Sequence, residues 1–156
     1  MSPDLNKLLR VLVEEGIDFV LIGGFAGVLH GSSMVTRDLD IAMAMEPKNL
    51  DKVRSALKKY NPRHRRTKPE LSFIEVPENW DGLKNLYLNT DLGVIDILGE
   101  LPDLGELPDV FKRAEKIKIF NYKIKVLSIE DLITSKKAMG RPKDLMMIQE
   151  LEKINS

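Results

Sequence analysis

The chain has 156 residues, with 24 Lys and Arg against 24 Asp and Glu, two His and no Cys. This length fits one compact domain, and the balance of 43% hydrophobic and 31% charged residues excludes disordered, collagen-like and repeat architectures. Without cysteine there is no disulfide framework, thiol nucleophile or thiolate metal site, and two histidines are too few for a histidine-rich zinc centre. A metal bound here would therefore be a hard cation with oxygen ligands.

The N-terminal sequence bears on location. The first residues, MSPDLNKLLRVLVEEG, carry acids through their apolar stretch, which is unlike a signal peptide or an Arg-rich transit peptide. The apolar run at 19–22 is far short of the roughly 20 residues that span a bilayer. We therefore expect a cytoplasmic protein with no membrane association.

Charge is uneven along the chain, although the formal net charge is zero. Residues 58–68 contain bases and no acid, whereas acids dominate from 70 to 109. The zero net charge argues against indiscriminate binding to nucleic acid, and no linker or repeat separates the charged segments. We expect them to be faces of one domain. The densest basic segment is called the basic block below and consists of Arg63, His64, Arg65, Arg66 and Lys68.

Apolar periodicity and turn residues predict helices that alternate with strands. The first helix starts behind Ser2 and Pro3, which we expect to be its cap and first-turn proline, and ends at Gly16. The later helices are predicted at 25–30, 47–60, 106–114, 128–140 and from Pro142 onward. The strands are predicted at 18–22, 38–43, 71–76, 84–89 and 93–98, with a hairpin at 116–126 that turns near Asn121.

The C-terminal part has clear helix boundaries. Ser128 and Asp131 form a capping-box pattern, Gly140 ends that helix and Pro142 begins the last one, so the C-terminal helices run from about 128 to 154. The predicted fold class is α/β or α+β, a single domain over residues 1–156 with a mixed β-sheet flanked by helices.

The Gly23-Gly24 pair stands between a predicted strand and a predicted helix. Backbone N–H groups at such a junction can bind a phosphate. A tight turn without a ligand is the competing interpretation of this pair alone.

The segment Asp38-Leu39-Asp40-Ile41 forms the second motif. Because side chains alternate along a strand, Asp38 and Asp40 should project to one face while Leu39 enters the core. An Asp-x-Asp pair also arises by chance, and a solvent-facing edge strand would explain it equally well.

Asp96 is the third motif, because it is a lone acid within the apolar strand Val94-Ile95-Asp96-Ile97-Leu98. A buried carboxylate costs several kcal/mol unless it is compensated. If Asp96 lies beside Asp38 and Asp40, each like-charge pair costs on the order of 4 kcal/mol at about 4 Å and an effective dielectric of about 20. Such a cluster calls for protonation or for divalent cations, and Mg²⁺ is the natural match to carboxylate oxygens.

These three motifs, in this order, resemble the polymerase-β-like nucleotidyltransferase superfamily. The pattern is hydrophobic-Gly-Gly at Ile22, then Asp-hydrophobic-Asp-hydrophobic at Asp38, then hydrophobic-Asp-hydrophobic around Asp96. The likeness is greatest to the minimal nucleotidyltransferases of toxin–antitoxin and abortive-infection systems, in which a helix such as 129–139 also leads to Gly-Arg-x-Lys-Asp.

The resemblance implies a catalytic and metal-binding set of Asp38, Asp40 and Asp96. Two Mg²⁺ ions, or Mn²⁺ as the alternative, would be held by Asp38 and Asp40, while Asp96 completes the second metal site or orients the acceptor. The amides of Gly23 and Gly24 would hold the β- and γ-phosphates of the nucleotide.

Four further side chains are candidate nucleotide contacts: Ser32, Ser33, Arg37 and Lys136. Each has a simpler interpretation. The competing interpretation is an extended turn for Ser32 and Ser33, a surface ion pair for Arg37, and a cation favoured by the helix C-terminus for Lys136.

The sequence thus predicts a Mg²⁺-dependent nucleotidyltransferase that moves a nucleoside monophosphate from an NTP, with ATP expected, to a hydroxyl. The acceptor classes are a protein such as a partner toxin, a tRNA reached through the basic block, or a small molecule. The small molecule is less attractive because no second substrate domain is evident. The alternative is a non-catalytic binding partner that keeps the fold, such as an antitoxin that acts by occlusion.

Overall fold

A computed structural model describes residues 3–75 and 83–156 of the chain. In these residues the chain forms six α-helices and one mixed sheet of eight strands. The helices are α1 Leu5–Glu14, α2 Gly23–Leu29, α3 Pro47–Leu57, α4 Leu107–Arg113, α5 Ile129–Met139 and α6 Pro142–Ile154. The strands are β1 Val20–Ile22, β2 Asp38–Ala42, β3 Arg63–His64, β4 Leu71–Ser72, β5 Asn85–Thr90, β6 Gly93–Leu98, β7 Glu115–Ile119 and β8 Tyr122–Val126.

The strand order across the sheet is β4-β3-β5-β6-β2-β1-β8-β7. The central pair β2 and β6 is parallel, β1 is antiparallel to β2, and β5 is antiparallel to β6. The predicted α/β fold with a mixed sheet flanked by helices is therefore confirmed.

Alternating side chains place the core beneath the two central strands. Leu39 and Ile41 of β2, and Ile95 and Ile97 of β6, are all fully buried. Each contributes roughly 1.5–3 kcal/mol through its burial. A slip of one residue in either strand would expose these side chains, so the hydrophobic core fixes the register of the two strands. That register also determines which polar residues of the two strands lie side by side.

Most predicted elements lie within a few residues of the observed ones, with four differences. The cap of α1 is Asp4, whose carboxylate accepts from the Lys7 N–H at 3.1 Å, because the helix starts at Leu5; Ser2 lies outside the described residues. Helix α2 begins already at Gly23. The helix predicted at 47–60 ends as an α-helix at Leu57 and continues as a 3-10 turn at 58–60.

The fourth difference concerns the region after the basic block. The strand predicted at 71–76 is only Leu71–Ser72, because a turn follows at 73–75; residue 76 lies outside the described residues. Besides these four differences in predicted elements, the short strand β3 lies within the basic block at Arg63–His64 and was not predicted, because two polar residues carry no alternation of hydrophobicity.

Helix α5 begins as predicted. The Ser128 side chain accepts from the Asp131 N–H at 3.1 Å, and Gly140 ends the helix with a φ of +65°, the left-handed conformation that favours glycine. This helix carries Lys136, so its boundaries determine where that cation lies.

We expect Ser128→Ala to lower the free energy of unfolding by about 1 kcal/mol, because the first turn of α5 loses its cap. Urea denaturation would measure the change. Thr134→Ala, in the exposed middle of the same helix, is the control and should stay within about 0.5 kcal/mol of wild type. Equal destabilisation by both substitutions would contradict a capping role for Ser128.

Candidate active site

The centre of the site is a pair of carboxylates on the parallel strands β2 and β6. Asp40 and Asp96 are register partners, so their side chains leave the sheet side by side on one face. Asp38 is exposed two residues earlier on β2 and therefore projects to that face too. The structure thus brings the three predicted acids to one face of the sheet.

Gly23 lies directly against this acidic pair. Ile22 is the register partner of Asp40 in the β1–β2 pair, so the chain enters α2 beside the Asp40 carboxylate. Gly23 has a φ of +72°, and a Cβ at this position would overlap the Asp40 side chain. The position therefore needs glycine for both its conformation and its space. The neighbouring Gly24 packs against Thr36, where a Cβ would lie 3.0 Å from Oγ1.

The electrostatics of Asp40 show how crowded the acids are. Burial, followed by the charges of Asp96 and Asp38, raises the pKa of Asp40 to about 6. Lys136 and Arg65 oppose this rise in the pKa of Asp40, so both cations lie near the carboxylate. Asp40 is thus a carboxylate that would gain from a cation placed beside it.

Arg65, from the basic block, reaches the third acid. Its Nη2 donates to Asp96 Oδ1 at 2.5 Å, and both side chains are largely buried. The backbone explains this contact, because the Arg65 N–H donates to the Tyr87 carbonyl oxygen and extends the pairing of β3 with β5. Tyr87 is in turn the register partner of Asp96. Arg65 is therefore a site residue that was predicted only as a member of the basic block.

A buried ion cluster joins α5 and α6 on the side of the acids opposite to Arg65. Asp144 is fully buried, and its carboxylate accepts from Lys136 Nζ at 3.2 Å and from Arg141 Nε at 2.6 Å and Nη2 at 3.1 Å. Burial favours the neutral acid, but the hydrogen bonds from Arg141 and Lys136 outweigh it and hold the pKa of Asp144 below its ordinary value. Asp144 therefore fixes two cations through one ionised carboxylate.

The three acids, the two glycines, Lys136 and Arg141 line one cleft of about 940 Å³, whereas Arg65 and Asp144 lie outside its lining. Its polar lining comes from the acids, from α2 and from α5–α6, and it also includes two residues of the β3–β5 side. The lining residues used below are Gly23, Gly24, Arg37, Asp38, Asp40, Arg66, Tyr87, Asp96, Lys136, Arg141 and Lys143. The predicted residues Arg37 and Lys136 are thus brought to the cleft.

Ser32 and Ser33 are engaged elsewhere. Ser32 Oγ donates to Glu150 Oε1 at 3.2 Å, while the Ser33 N–H and hydroxyl both donate to Glu150 Oε2 at 2.9 Å. These hydrogen bonds hold the pKa of Glu150 below its ordinary value, and the bond from the Ser33 N–H has the largest effect. The two serines tie the loop after α2 to α6 and are absent from the cleft lining. Their contact with a nucleotide stays a prediction.

The carboxylates do not form a closed metal cage. Within residues 3–75 and 83–156, no three acid or histidine side chains stand close enough together to ligate one ion. Mg²⁺ in nucleotide enzymes is usually held by one or two carboxylates together with substrate phosphates and water, so the pair of acids on β2 suits such an ion.

Comparison with known proteins identifies the family. The family described as "Nucleotidyltransferase of unknown function (DUF6036)" matches residues 4–156. The chain belongs to this nucleotidyltransferase family. No curated protein matches the chain.

Solved structures share the fold of this nucleotidyltransferase over nearly its whole length. The lincosamide antibiotic adenylyltransferase LnuA, bound to lincomycin, has 18% identity and a TM-score of 0.66, with 97% of this chain and 96% of LnuA covered. TM1012 from Thermotoga maritima has 19% identity and a TM-score of 0.57, with 98% and 96% covered. ANT(2")-Ia in complex with adenylyl-2"-tobramycin has 10% identity and a TM-score of 0.51, with 97% of each chain covered.

One further finding concerns membranes. None of the helices in the described residues is both long and apolar enough to cross a bilayer.

The raised pKa of Asp40 predicts a pH-dependent stability in buffer that contains a chelator. The pKa of Asp40 is about 6 in the folded state, whereas in the unfolded chain the carboxyl has its ordinary pKa of 3.8 and releases its proton there. Wild type should therefore lose stability as the pH rises through 6, by about 1–3 kcal/mol. Asp40→Asn carries no charge at this position and should be more stable than wild type at pH 8 by that amount, with little advantage at pH 4.

Thermal unfolding of both proteins at pH 4, 6 and 8 would measure the difference. Asp103→Asn, at an exposed acid away from the cleft lining, is the matched control and should show no such growing advantage. If Asp40→Asn is equally destabilised at all three pH values, the unfavourable charge at Asp40 is refuted.

Proposed function

We propose that this chain transfers a nucleoside monophosphate from an NTP, with ATP as the expected donor, to an acceptor hydroxyl with the help of Mg²⁺. The observation that carries the proposal is the register pairing of Asp40 with Asp96, next to a glycine that adjoins Asp40 and starts a helix. ATP is the expected donor because LnuA is an adenylyltransferase and the ANT(2")-Ia structure holds an adenylylated product.

The donor set fits a divalent cation. Asp38 and Asp40 supply oxygen ligands from one strand face, and burial followed by the charges of Asp96 and Asp38 raises the pKa of Asp40, so its ionised form would gain from a cation. Mg²⁺, or Mn²⁺ in its place, would neutralise this negative charge, polarise the phosphate and promote ionisation of the acceptor hydroxyl. Asp38 and Asp40 would hold it, and Asp96 would offer its Oδ2 oxygen to a second ion because Arg65 binds its Oδ1 oxygen.

The reaction is a displacement at the α-phosphorus. The acceptor oxygen forms a bond to that phosphorus, and the bond from the phosphorus to the oxygen bridging to the β-phosphate breaks. Pyrophosphate leaves with that electron pair, and the proton of the hydroxyl passes to a carboxylate of the site and then to solvent. Asp96 lies beside Asp40 on the strand nearer to Tyr87, so it would orient the acceptor at the face opposite the leaving group.

The helical side of the cleft suits the triphosphate. Lys136 and Arg141 are held there by the buried Asp144, and the N–H groups of Gly23 and Gly24 lie at the start of α2. Fixed cations and backbone donors stabilise charge on departing pyrophosphate without needing to reorganise. Arg37 and Lys143 add exposed cations at the edge of the same cleft.

The acceptor is a hydroxyl of a protein, an RNA or a small molecule. Chain length does not disfavour the small molecule, because LnuA, which matches over 96% of its own length, is an antibiotic adenylyltransferase. The toxin–antitoxin setting and the cytoplasmic location stay predictions.

The central test is label transfer from each of four α-labelled NTPs in the presence of Mg²⁺ and a cell extract. We expect wild type to transfer label and Asp38→Asn to lose at least about 100-fold in rate, because loss of metal-assisted stabilisation is worth several kcal/mol. A chelator should abolish the transfer, and Mn²⁺ should restore it. Asp103→Asn should behave as wild type. Failure of wild type to bind or use any NTP would overturn the proposal.

The triphosphate site has its own test. Lys136→Met should weaken binding of Mg-ATP by about 10-fold, because it removes one charge-assisted contact from the cleft. Calorimetry on the purified chain would measure the affinity. Lys137→Met, at the next and exposed position of α5, is the control, since Lys137 pairs with Glu152 and not with Asp144. Equal affinity of the Lys136 variant and wild type would remove Lys136 from the nucleotide site.

A further inference from the structure

The cleft has two walls, one on each side of the carboxylates. The strand order puts β1, with α2 after it, next to β2, and puts β5 and β3 beyond β6. The wall formed by α2, α5 and α6 carries the glycines and the cations bound to Asp144. The other wall, called the acceptor wall here, consists of Tyr87 and Arg66, which line the cleft, together with Arg65, which contacts the same ring from outside the lining.

Two guanidinium groups converge on one aromatic ring in the acceptor wall. The Arg66 guanidinium carbon lies 3.5 Å from the centroid of the Tyr87 ring, and that of Arg65 lies 5.3 Å from it. Tyr87 is the register partner of Asp96, so both arginines stand next to the carboxylates. A guanidinium that lies over a ring keeps the N–H groups at its edge available for a planar bidentate partner.

These arginines retain hydrogen-bonding capacity. Arg66 is exposed and lines the cleft, and among the described residues it has no ion-pair partner. Arg65 donates to Asp96 through Nη2, while its buried Nε has no hydrogen-bond partner in the part of the chain that the structure describes. A buried donor without a partner calls for a ligand or water.

The neighbouring Arg63 shows a different arrangement. It pairs with Glu70 at 3.2 Å and with Asp91 at 3.6 Å, so its charge is compensated by the protein. Asp96 compensates Arg65, whereas Arg66 has no ion pair within the described residues. A phosphate would gain a bidentate pair with Arg66, and a cationic acceptor would not.

We infer that the acceptor of this nucleotidyltransferase bears a phosphate group, which Arg66 binds beside Tyr87 while the acceptor hydroxyl lies at Asp96. This inference rests on the proposed function and names its substrate class. A nucleic acid and a small phosphate ester share this chemistry. The ring of Tyr87 supplies a flat apolar surface next to the phosphate in either case.

The first experiment asks which class of molecule receives the label. The full chain is incubated with Mg²⁺, α-labelled ATP and four fractions of a cell extract: RNA, proteins, small molecules that bind an anion exchanger, and small molecules that do not. Tobramycin, a polyamine, is a fifth arm. We expect label in the RNA or in the anionic small molecules. Loss of acceptor activity after RNase indicates RNA, and loss after phosphatase indicates a phosphate ester.

The outcomes separate the two proposals. Label in proteins, in the unbound small molecules or in tobramycin would overturn the phosphate-bearing acceptor and leave the proposed function standing. Label in no fraction, with each of the other three NTPs failing as well, would overturn the proposed function and this inference together.

The second experiment locates the phosphate at the acceptor wall. Arg66→Ala should raise the KM for the labelled acceptor by about 10-fold or more while the KM for ATP stays within about two-fold. Arg66→Lys should fall between, because it keeps the charge and loses the planar fork. Tyr87→Phe keeps the ring and should stay near wild type, whereas Tyr87→Leu should also raise the acceptor KM.

Lys112→Ala, at an exposed lysine of α4 outside the cleft lining, is the matched control for lost charge. Arg66 is exposed, so its replacement should leave the circular dichroism and thermal unfolding unchanged. An Arg66→Ala variant that keeps the wild-type acceptor KM, or that raises the KM for ATP instead, would overturn the assignment.

Discussion

The site depends on one constraint, the parallel register between β2 and β6. Buried Leu39, Ile41, Ile95 and Ile97 hold this register. Because each polar side chain alternates with a buried one, the same packing that stabilises the sheet forces Asp40 and Asp96 together. The packing of the hydrophobic core thus holds these acids together, and burial, followed by the charges of Asp96 and Asp38, raises the pKa of Asp40 as a result. In a flexible loop these acids would move apart, but here the packing of the apolar side chains keeps them adjacent.

The cations are arranged by a different principle on each side. On the helical side, the buried and ionised Asp144 pairs with Lys136 and Arg141 and so fixes the positions of both cations. On the acceptor wall, a ring positions Arg66 without neutralising it. The helical side thus has cations that are fixed and compensated by an ion pair, and the acceptor wall has a cation, Arg66, that no ion pair within the described residues compensates. Fixed geometry suits a triphosphate that is common to all turnovers, and full charge suits recruitment of an acceptor from solution.

Local patterns in the sequence predicted much of this, and long-range pairing accounts for the rest. The three acids were found because alternation and an acid within an apolar strand are readable over a few residues, and the Ser128 cap because it spans only three. Arg65 was not assigned to the site, because its position depends on β3 pairing with β5 across more than twenty residues of chain. The engagement of Ser32 and Ser33 by Glu150 likewise depends on packing between residues more than a hundred positions apart. The spacing of residues along the sequence does not predict such contacts, since they form only once the sheet and α6 are assembled.

The position of β3 and β5 beyond β6 has a consequence for how such a protein can diverge. The helical side of the cleft and the acceptor wall lie on opposite sides of the acids, and their residues come from separate stretches of the chain. Substitutions in the stretch around 63–66 and 87 can therefore alter selectivity without a compensating change in α2, α5 or α6. A scaffold divided in this way is modular at the scale of a single domain.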